Sequence, residues 1–295
     1  MTQHARRCCM LHRLRMMGTT LNCKVMIAYS PKICASAARW QFSQRIRTAH
    51  NSSATIPIVE LREYSLFPAS VVKYTQVTSA TSNLRKSLTP MKYFGLPETG
   101  GNLNIATHLY YYQGGYTDRN IRRKVMAENK EWADYVNAVR PCMDTQKSTI
   151  FVEAPFIHTM IQQDDFATKI FGLSAVNDNT FHGADSIIEF RRYQLKLGYD
   201  TVPKFLTMYE KGLPSKLLAE GTDPTTSLIT LLYCEVGQLN EVIEIWRHQG
   251  TEAMEKSRIA ARSAMEWREA ISSIAGLANV FKNTIHKPLA FSPLR

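Results

Sequence analysis

The stretch Ile58-Val-Glu-Leu-Arg-Glu-Tyr-Ser-Leu66 recurs as Ile187-Ile-Glu-Phe-Arg-Arg-Tyr-Gln-Leu195, with five identities in nine positions. Every identity falls on alternate residues: Ile58, Glu60, Arg62, Tyr64 and Leu66 against Ile187, Glu189, Arg191, Tyr193 and Leu195. A period of two is that of a strand, so these side chains share one face. The match then continues in order. Glu98-Thr-Gly-Gly-Asn-Leu-Asn104 aligns with Glu235-Val-Gly-Gln-Leu-Asn240 with one gap, and His108-Leu-Tyr-Tyr-Tyr-Gln-Gly114 with Glu244-Ile-Trp-Arg-His-Gln-Gly250. Arg122 falls opposite Arg258, Glu131-Trp132 opposite Glu266-Trp267, and Phe156 opposite Phe291. Such an ordered series marks a duplicated structural unit. The chain reads as a leader (1–50), a first module (57–160), a linker (161–185) and a second module (186–295). The linker is polar and turn-rich around an apolar island from Ile170 to Val176, with room for one helical turn.

Periodicity orders the elements inside each module. Ile58 to Phe67 and Ile187 to Lys196 are first strands. Ala69 to Leu88 and Thr201 to Glu220 place apolar residues at helical spacing, as in Phe205, Met208 and Tyr209. Met91 to Leu96 and Ser227 to Glu235 are second strands. Gly100-Gly101 and Gly237 supply permissive turn positions, so hairpins lead into third strands at Leu103 to Gln113 and Leu239 to His248. Long helices are expected over Thr117 to Val139, stopped before Pro141, and over Thr251 to Phe281. The last strands fall at Ser148 to Phe156 and Ile285 to Phe291. The order βαββαβ, twice, places the chain in the α+β class as two ferredoxin-like modules. In such a sheet the first and third strands are central neighbours. Helices cover one face, and a second sheet normally covers the other.

Strand alternation gathers the candidate site. Val59 and Leu61, or Ile188 and Phe190, form an apolar face expected beneath the helices. Leu103, Ile105 and Leu109, or Leu239, Ile243 and Ile245, continue it. The opposite parity brings Glu60, Arg62 and Tyr64 beside Asn104, His108, Tyr110 and Tyr112 in the first module. In the second it brings Glu189, Arg191 and Tyr193 beside Asn240, Glu244, Trp246 and His248. These residues are expected to face the partner sheet. Two chemistries fit them. Glu and Arg can pair inside the sheet-to-sheet interface, with the tyrosines satisfying leftover groups, because a buried charge is costly unless paired. Alternatively the face lines a ligand cavity, with His108 or His248 ligating a metal or acting as a base. No His/Cys/Asp spacing forms a metal motif, and no resident metal is expected.

The 295 residues carry a formal charge of +11 with 44% apolar residues, a globular composition for about two domains. The charge is unevenly placed. Residues 1–59 hold nine Lys or Arg and no Asp or Glu, leaving 27 basic against 25 acidic side chains in the rest. A near-neutral body gives no support for nucleic-acid binding. Arg6, Arg7, Arg13 and Arg15 alternate with Met10, Leu11, Leu14 and Met17 in an acid-free leader rich in Ser, Thr and Ala. That is the composition of a mitochondrial presequence, with processing expected between Arg39 and Ser53. The matrix is the expected destination and the cytosol the alternative. Four of the six cysteines lie in the leader; Cys142 and Cys234 make neither a disulfide framework nor a zinc quartet. No apolar run approaches the ~20 residues that cross a bilayer, which leaves only peripheral membrane association open. The sequence has no phosphate-binding Gly-rich loop, no Gly-x-Ser-x-Gly elbow and no His-Glu-x-x-His.

Glu-Leu-Arg-x-Tyr in the first strand, Glu-Val-Gly-x-Leu-Asn at the hairpin, and His-Leu-Tyr or Ile-Trp followed by aromatics resemble the NIPSNAP domain. Arg122-x(9)-Trp132, Arg258-x(8)-Trp267 and the closing Ser292-Pro-Leu294 are similar to it as well. The resemblance spans nearly everything after residue 57. It implies the dimeric α+β barrel fold, two ferredoxin-like sheets closing face to face within one chain or across a homo-oligomer. It implies a mitochondrial protein that acts without catalysis through protein–protein interaction, in quality control such as mitophagy or in vesicle-related trafficking. No cofactor comes with it, and its partners are unnamed proteins. The alternative is a small-molecule or haem-binding barrel of monooxygenase-like ancestry, echoed by Trp246 and His248 near Asn240. Two departures bear on any function that needs one residue in both halves. His108 is replaced by Glu244, and Tyr110 stands where Trp is usual.

Overall fold

The computed structural model of the chain describes residues 55–181 and 186–295. The expected leader over residues 1–50 lies outside them. The first half runs β1 (Ile58–Leu66), α1 (Val71–Ala80), α2 (Ser82–Leu88), β2 (Met91–Thr99), β3 (Ile105–Tyr112), α3 (Gly115–Glu128), α4 (Lys130–Val139) and β4 (Met143–Glu153). A short helix α5 (Pro155–Met160) follows. The second half runs β5 (Ile187–Leu195), α6 (Thr201–Leu217), β6 (Ser227–Val236), β7 (Glu241–His248), α7 (Thr251–Ser263), α8 (Met265–Ala275) and β8 (Ala278–Pro288). Strand order is β4-β1-β3-β2 in one half and β8-β5-β7-β6 in the other, the ferredoxin-like arrangement twice. Antiparallel pairs β2–β8 and β4–β6 join the halves, so one closed eight-stranded barrel forms within a single chain.

Element boundaries move where tertiary pairing competes with local pattern. β4 starts at Met143 rather than Ser148. β8 starts at Ala278, inside the stretch expected to be helical to Phe281. There Phe281 lies opposite Tyr193 of β5 and stacks on its ring at 4.6 Å, a contact the apolar spacing alone could not reveal. The long helices are each broken once. Asn129 accepts from the Trp132 backbone N–H at 2.8 Å and caps α4, while Ala264 separates α7 from α8.

A glycine at each hairpin admits the other half. Gly100 has φ +94°, and a Cβ there would meet the Asn283 carbonyl oxygen of β8 at 2.2 Å. Gly237 has φ +140°, and its Cβ would meet Thr149 Cγ2 of β4 at 2.6 Å. Both hairpins need a residue without a side chain, for conformation and for space.

The two sheet faces are assigned the reverse of the expectation. Val59, Leu61, Leu109, Phe151, Ile188, Phe190, Ile243 and Ile245 form one buried cluster filling the barrel lumen, where Tyr93 of β2 meets Phe190 of β5 at 5.4 Å. The Glu60–Arg62–Tyr64 face, and its counterpart at Glu189–Arg191–Tyr193, lie beneath the helices. The reason is partnering. An eight-stranded lumen is just wide enough for interlocking side chains, so it takes the more apolar parity. The charged parity needs donors and acceptors, and the helices bring Arg119, Arg258, Tyr74 and Tyr209 to it. One charged contact does cross the lumen. Arg192 Nη2 lies 2.7 Å from Glu63 Oε1, although β1 and β5 are on opposite sides of the barrel.

Residues 161–181 of the segment read as a polar linker are packed. Phe166 and Ile170 join the core under α6, while Leu173, Val176 and Phe181 join the lumen cluster. Backbone N–H groups of Phe171 and Gly172 donate to the Leu228 and Ile229 carbonyls at 3.1 and 2.8 Å, occupying the start of β6 that β4 does not reach. These residues alternate with polar ones, so composition alone reads as a loop.

Candidate functional site

Each half holds a buried carboxylate in a donor cage between sheet and helices. In the first half, Glu60 accepts from Arg62 Nε at 3.0 Å, from Arg119 at 3.0 and 2.8 Å, from Ser148 Oγ at 2.7 Å and from Tyr112 OH at 3.2 Å. Burial alone would raise this carboxyl, but Arg119, Arg62 and Ser148 outweigh it and hold it down to about 2. In the second half, Glu189 accepts from Arg191 Nε at 2.8 Å, from Asn283 Nδ2 at 2.8 Å and from Arg258. His248 Nε2 lies 3.1 Å from its other oxygen. Burial opposes ionisation here too, and His248 with Arg191 lowers the carboxyl far below its ordinary value. The cages match position by position: β4 gives Ser148 where β8 gives Asn283, and β3 gives Tyr112 where β7 gives His248.

Arg119, rather than the sequence-matched Arg122, serves Glu60. Arg122 instead pairs with Asp118 at 2.7 Å, one helical turn back. Asn104 and Asn240 stand apart from both cages. Their carbonyls accept from the backbones of Leu66 and Leu195 at 2.8 Å, closing the ends of β1 and β5.

The halves diverge one register step along the sheet. Opposite Arg62 sits His108, fully buried, stacked on Phe94 at 4.0 Å. Its Nε2 lies 3.3 Å from Tyr74 OH and its Nδ1 3.1 Å from Tyr110 OH. Burial, then Arg85 and Arg62, push its pKa well below the ordinary range, so the ring is neutral. Opposite Arg191 sits Glu244, which accepts from Tyr209 OH at 2.8 Å, from Trp246 Nε1 and from Tyr193 OH. A ring with two nitrogens and a carboxylate with two oxygens thus occupy equivalent places, each met by a helix tyrosine.

The third layer differs most. In the first half, Arg85 of α2 is buried, donates to Tyr110 OH at 2.6 Å and Tyr135 OH at 2.5 Å, and stacks over the Phe94, Trp132 and Tyr135 rings at 5.0–5.3 Å. In the second half, Lys216 of α6 lies 3.5 Å from the centroid of Trp246 and 4.5 Å from that of Trp267. Its Nζ is buried with no hydrogen-bond partner, and the nearest carboxylate oxygen, on Glu244, is 3.9 Å away. Burial, then Arg191, pull its pKa down to about 7. Lys216 opens onto a cavity of about 450 Å³ whose walls include Arg191, Trp246, Arg258, Trp267 and Ile271. Gly212 and Ser215 fix this end of α6. A Cβ on Gly212 would meet Ala270 Cβ of α8 at 2.5 Å, and Ser215 Oγ accepts from Trp267 N–H at 2.8 Å.

Haem or metal ligation by His108 or His248 does not fit these contacts. Both nitrogens of His108 face tyrosine hydroxyls, and those of His248 face Glu189 and, at 2.9 Å, Thr226. Among the described residues, no group of three or more His, Cys, Asp or Glu is placed to hold a metal, and no helix is long and apolar enough to cross a membrane. Sequence reading missed Lys216, Arg85, Tyr74, Tyr209, Arg119, Ser148 and Asn283 because their helices and edge strands carry no shared motif. Only the tyrosine pair, recurring on the first helix of each half, left a trace.

A barrel closed by two ferredoxin-like halves, with helices over a polar sheet face, defines the dimeric α+β barrel class. Two solved structures share the fold at low identity, both candidate monooxygenases. One, from Fusobacterium nucleatum, superposes with a TM-score of 0.55 at 10% identity, covering 80% of this chain and 93% of that one. The other, from Lactobacillus acidophilus, gives 0.50 at 12% identity, covering 79% and 94%. The NIPSNAP family matches this chain twice, over residues 59–158 and 188–293, and the chain belongs to that family. Human protein NipSnap homolog 2 is 24% identical over 195 residues, 66% of this chain and 59% of the human protein's length.

Proposed function

We propose that this protein is a non-catalytic, mitochondrial binding protein whose second half takes a small molecule between sheet and helices. The observation that carries the reading is the cavity of about 450 Å³ beside Lys216, set against the filled counterpart around Arg85. Its volume is typical of small-molecule sites, and its walls combine aromatic surface with a few convergent polar groups. Binding rather than turnover is supported by the Glu189–His248 pair beside the cavity. Glu189 and His248 direct their polar atoms at neighbours, so neither stands ready to exchange a proton with a substrate. Ile271→Trp, which fills the cavity, is expected to abolish small molecules retained by the purified wild-type chain in native mass spectrometry. Retention by that variant would defeat the reading.

The leader composition and the similarity to NipSnap homologues support mitochondrial import. A fluorescent fusion lacking residues 1–50 is expected to stay in the cytosol, and unchanged mitochondrial targeting would refute the assignment. A second role in protein interaction, as in mitochondrial quality control, is favoured by the exposed Leu197 and Tyr199 in the β5–α6 loop. Proximity labelling should lose neighbours when both are changed to Ser.

A further inference from the structure

We infer that the second-half cavity is a site for a small organic acid with an apolar body, its carboxylate received by Lys216 and Arg191 and its hydrocarbon part by Trp267 and Ile271. The inference rests on the binding reading above and narrows it to one ligand class. The first argument is the unmet donor. Lys216 Nζ is buried, lines the cavity and has no hydrogen-bond partner, and 3.9 Å to Glu244 is beyond hydrogen-bond reach. A buried ammonium group without an acceptor is unfavourable, and an incoming oxygen relieves it.

The second argument is charge. Five cationic side chains line the cavity, Arg191, Lys216, Arg258, Arg262 and Arg268, with no Asp or Glu among its walls. The two carboxylates beneath them are already engaged. Glu189 is held by Arg191, Arg258, Asn283 and His248, and Glu244 by Tyr193, Tyr209 and Trp246. Even with both counted, cations exceed anions by five to two. The third argument is the apolar wall. Trp246, Ala261, Trp267 and Ile271 offer surface that a bare inorganic anion cannot use, so the ligand carries hydrocarbon as well as charge. The first half is an internal control. Arg85 gives Nη1 to Tyr110 and Nη2 to Tyr135 and stacks on three rings, leaving only its Nε without an acceptor.

The test uses the full chain with naphthylacetate and its uncharged analogue naphthylacetamide, followed by calorimetry and tryptophan fluorescence. Naphthylacetate is expected to bind saturably, one per chain and at least tenfold tighter than the amide. Lys216→Met should bring the two to equal affinity, and Ile271→Trp should abolish both. Lys216→Gln, which keeps a donor but not the charge, checks the same point should the Met variant not fold. Equal affinities in the wild type, or a carboxylate preference that survives Lys216→Met, would overturn the ligand class. Amide binding abolished by Ile271→Trp, with no preference for the acid, leaves the cavity as a ligand site but removes the acid. Absence of saturable binding by both compounds overturns the acid site and the binding reading together.

Discussion

The two halves share a sheet, a carboxylate cage and a helix tyrosine, yet one is closed and the other open. In the first, Arg85 reaches across to Tyr110 and Tyr135, and its planar guanidinium stacks between Phe94, Trp132 and Tyr135. In the second, Lys216 stands between Trp246 and Trp267 with no acceptor, beside space. The lesson concerns the two cations. Arg carries five donors on a rigid plane and can satisfy several partners while filling volume; Lys is a point charge on a flexible stem. The two come from different places in the repeat, Arg85 eleven residues past Tyr74 and Lys216 seven past Tyr209, and the guanidinium leaves a packed layer where the ammonium leaves a pocket. The cages below did not diverge in the same way, because a buried carboxylate surrounded by cations tolerates no loss on either side.

The comparison can be broken or sharpened by stability measurements. The largest effect is expected for Glu60→Ala and Glu189→Ala. Each strands part-buried cations and removes a fully buried carboxylate, and should cost about 3 kcal/mol in denaturant titrations, alike in both halves. A markedly smaller loss in one half would show that its cage is hydrated. Acid should act through the same group. Glu60 titrates at about 2 in the fold against an ordinary 4.5, so the unfolded chain takes up the proton first as pH falls. Its stabilisation, on the order of 3 kcal/mol, is complete above about 4.5 and disappears as pH drops to 2. In Glu60→Gln that acid-dependent component of the denaturant midpoint should vanish.

Next in size is a pair of changes with opposite signs. Arg85→Met removes two hydrogen bonds from a charged donor and should destabilise by ~2–3 kcal/mol. Lys216→Met removes a buried charge that has no hydrogen-bond partner and only a 3.9 Å ion pair, and should raise stability by ~1–2 kcal/mol. Equal signs would mean that the Lys216 charge is satisfied where it stands. The smallest effect concerns closure of the barrel. A double-mutant cycle on Glu63 and Arg192 should give a coupling of ~1 kcal/mol, because the pair is partly solvated. The two occupy the same place in the repeat with opposite charge. Pairing two first halves would set Glu against Glu, and pairing two second halves Arg against Arg. Zero coupling would remove that preference for closure between unlike halves.

Much of the candidate site was legible in the residues themselves. Glu60, Arg62, Tyr64, His108, Tyr110 and Tyr112 come from one parity of two strands, as do Glu189, Arg191, Tyr193, Glu244, Trp246 and His248, and each set meets in space. The partners from helices and edge strands were not legible, because helix rotation and strand register depend on contacts far away in the chain. The repeat sets Arg122 opposite Arg258, yet Arg119, nearly one helical turn earlier, is the residue that reaches Glu60.

By itself, the sequence determined the duplication, the order of strands and helices, and which side chains share a face, since these follow from local periodicity and from repeated words. Only the tertiary structure decided which face the helices cover, that the 161–181 segment is packed, and that an unmatched lysine opens onto empty space. Those outcomes depend on volume and on the partnering of buried charge, and both belong to the whole fold rather than to any stretch of it.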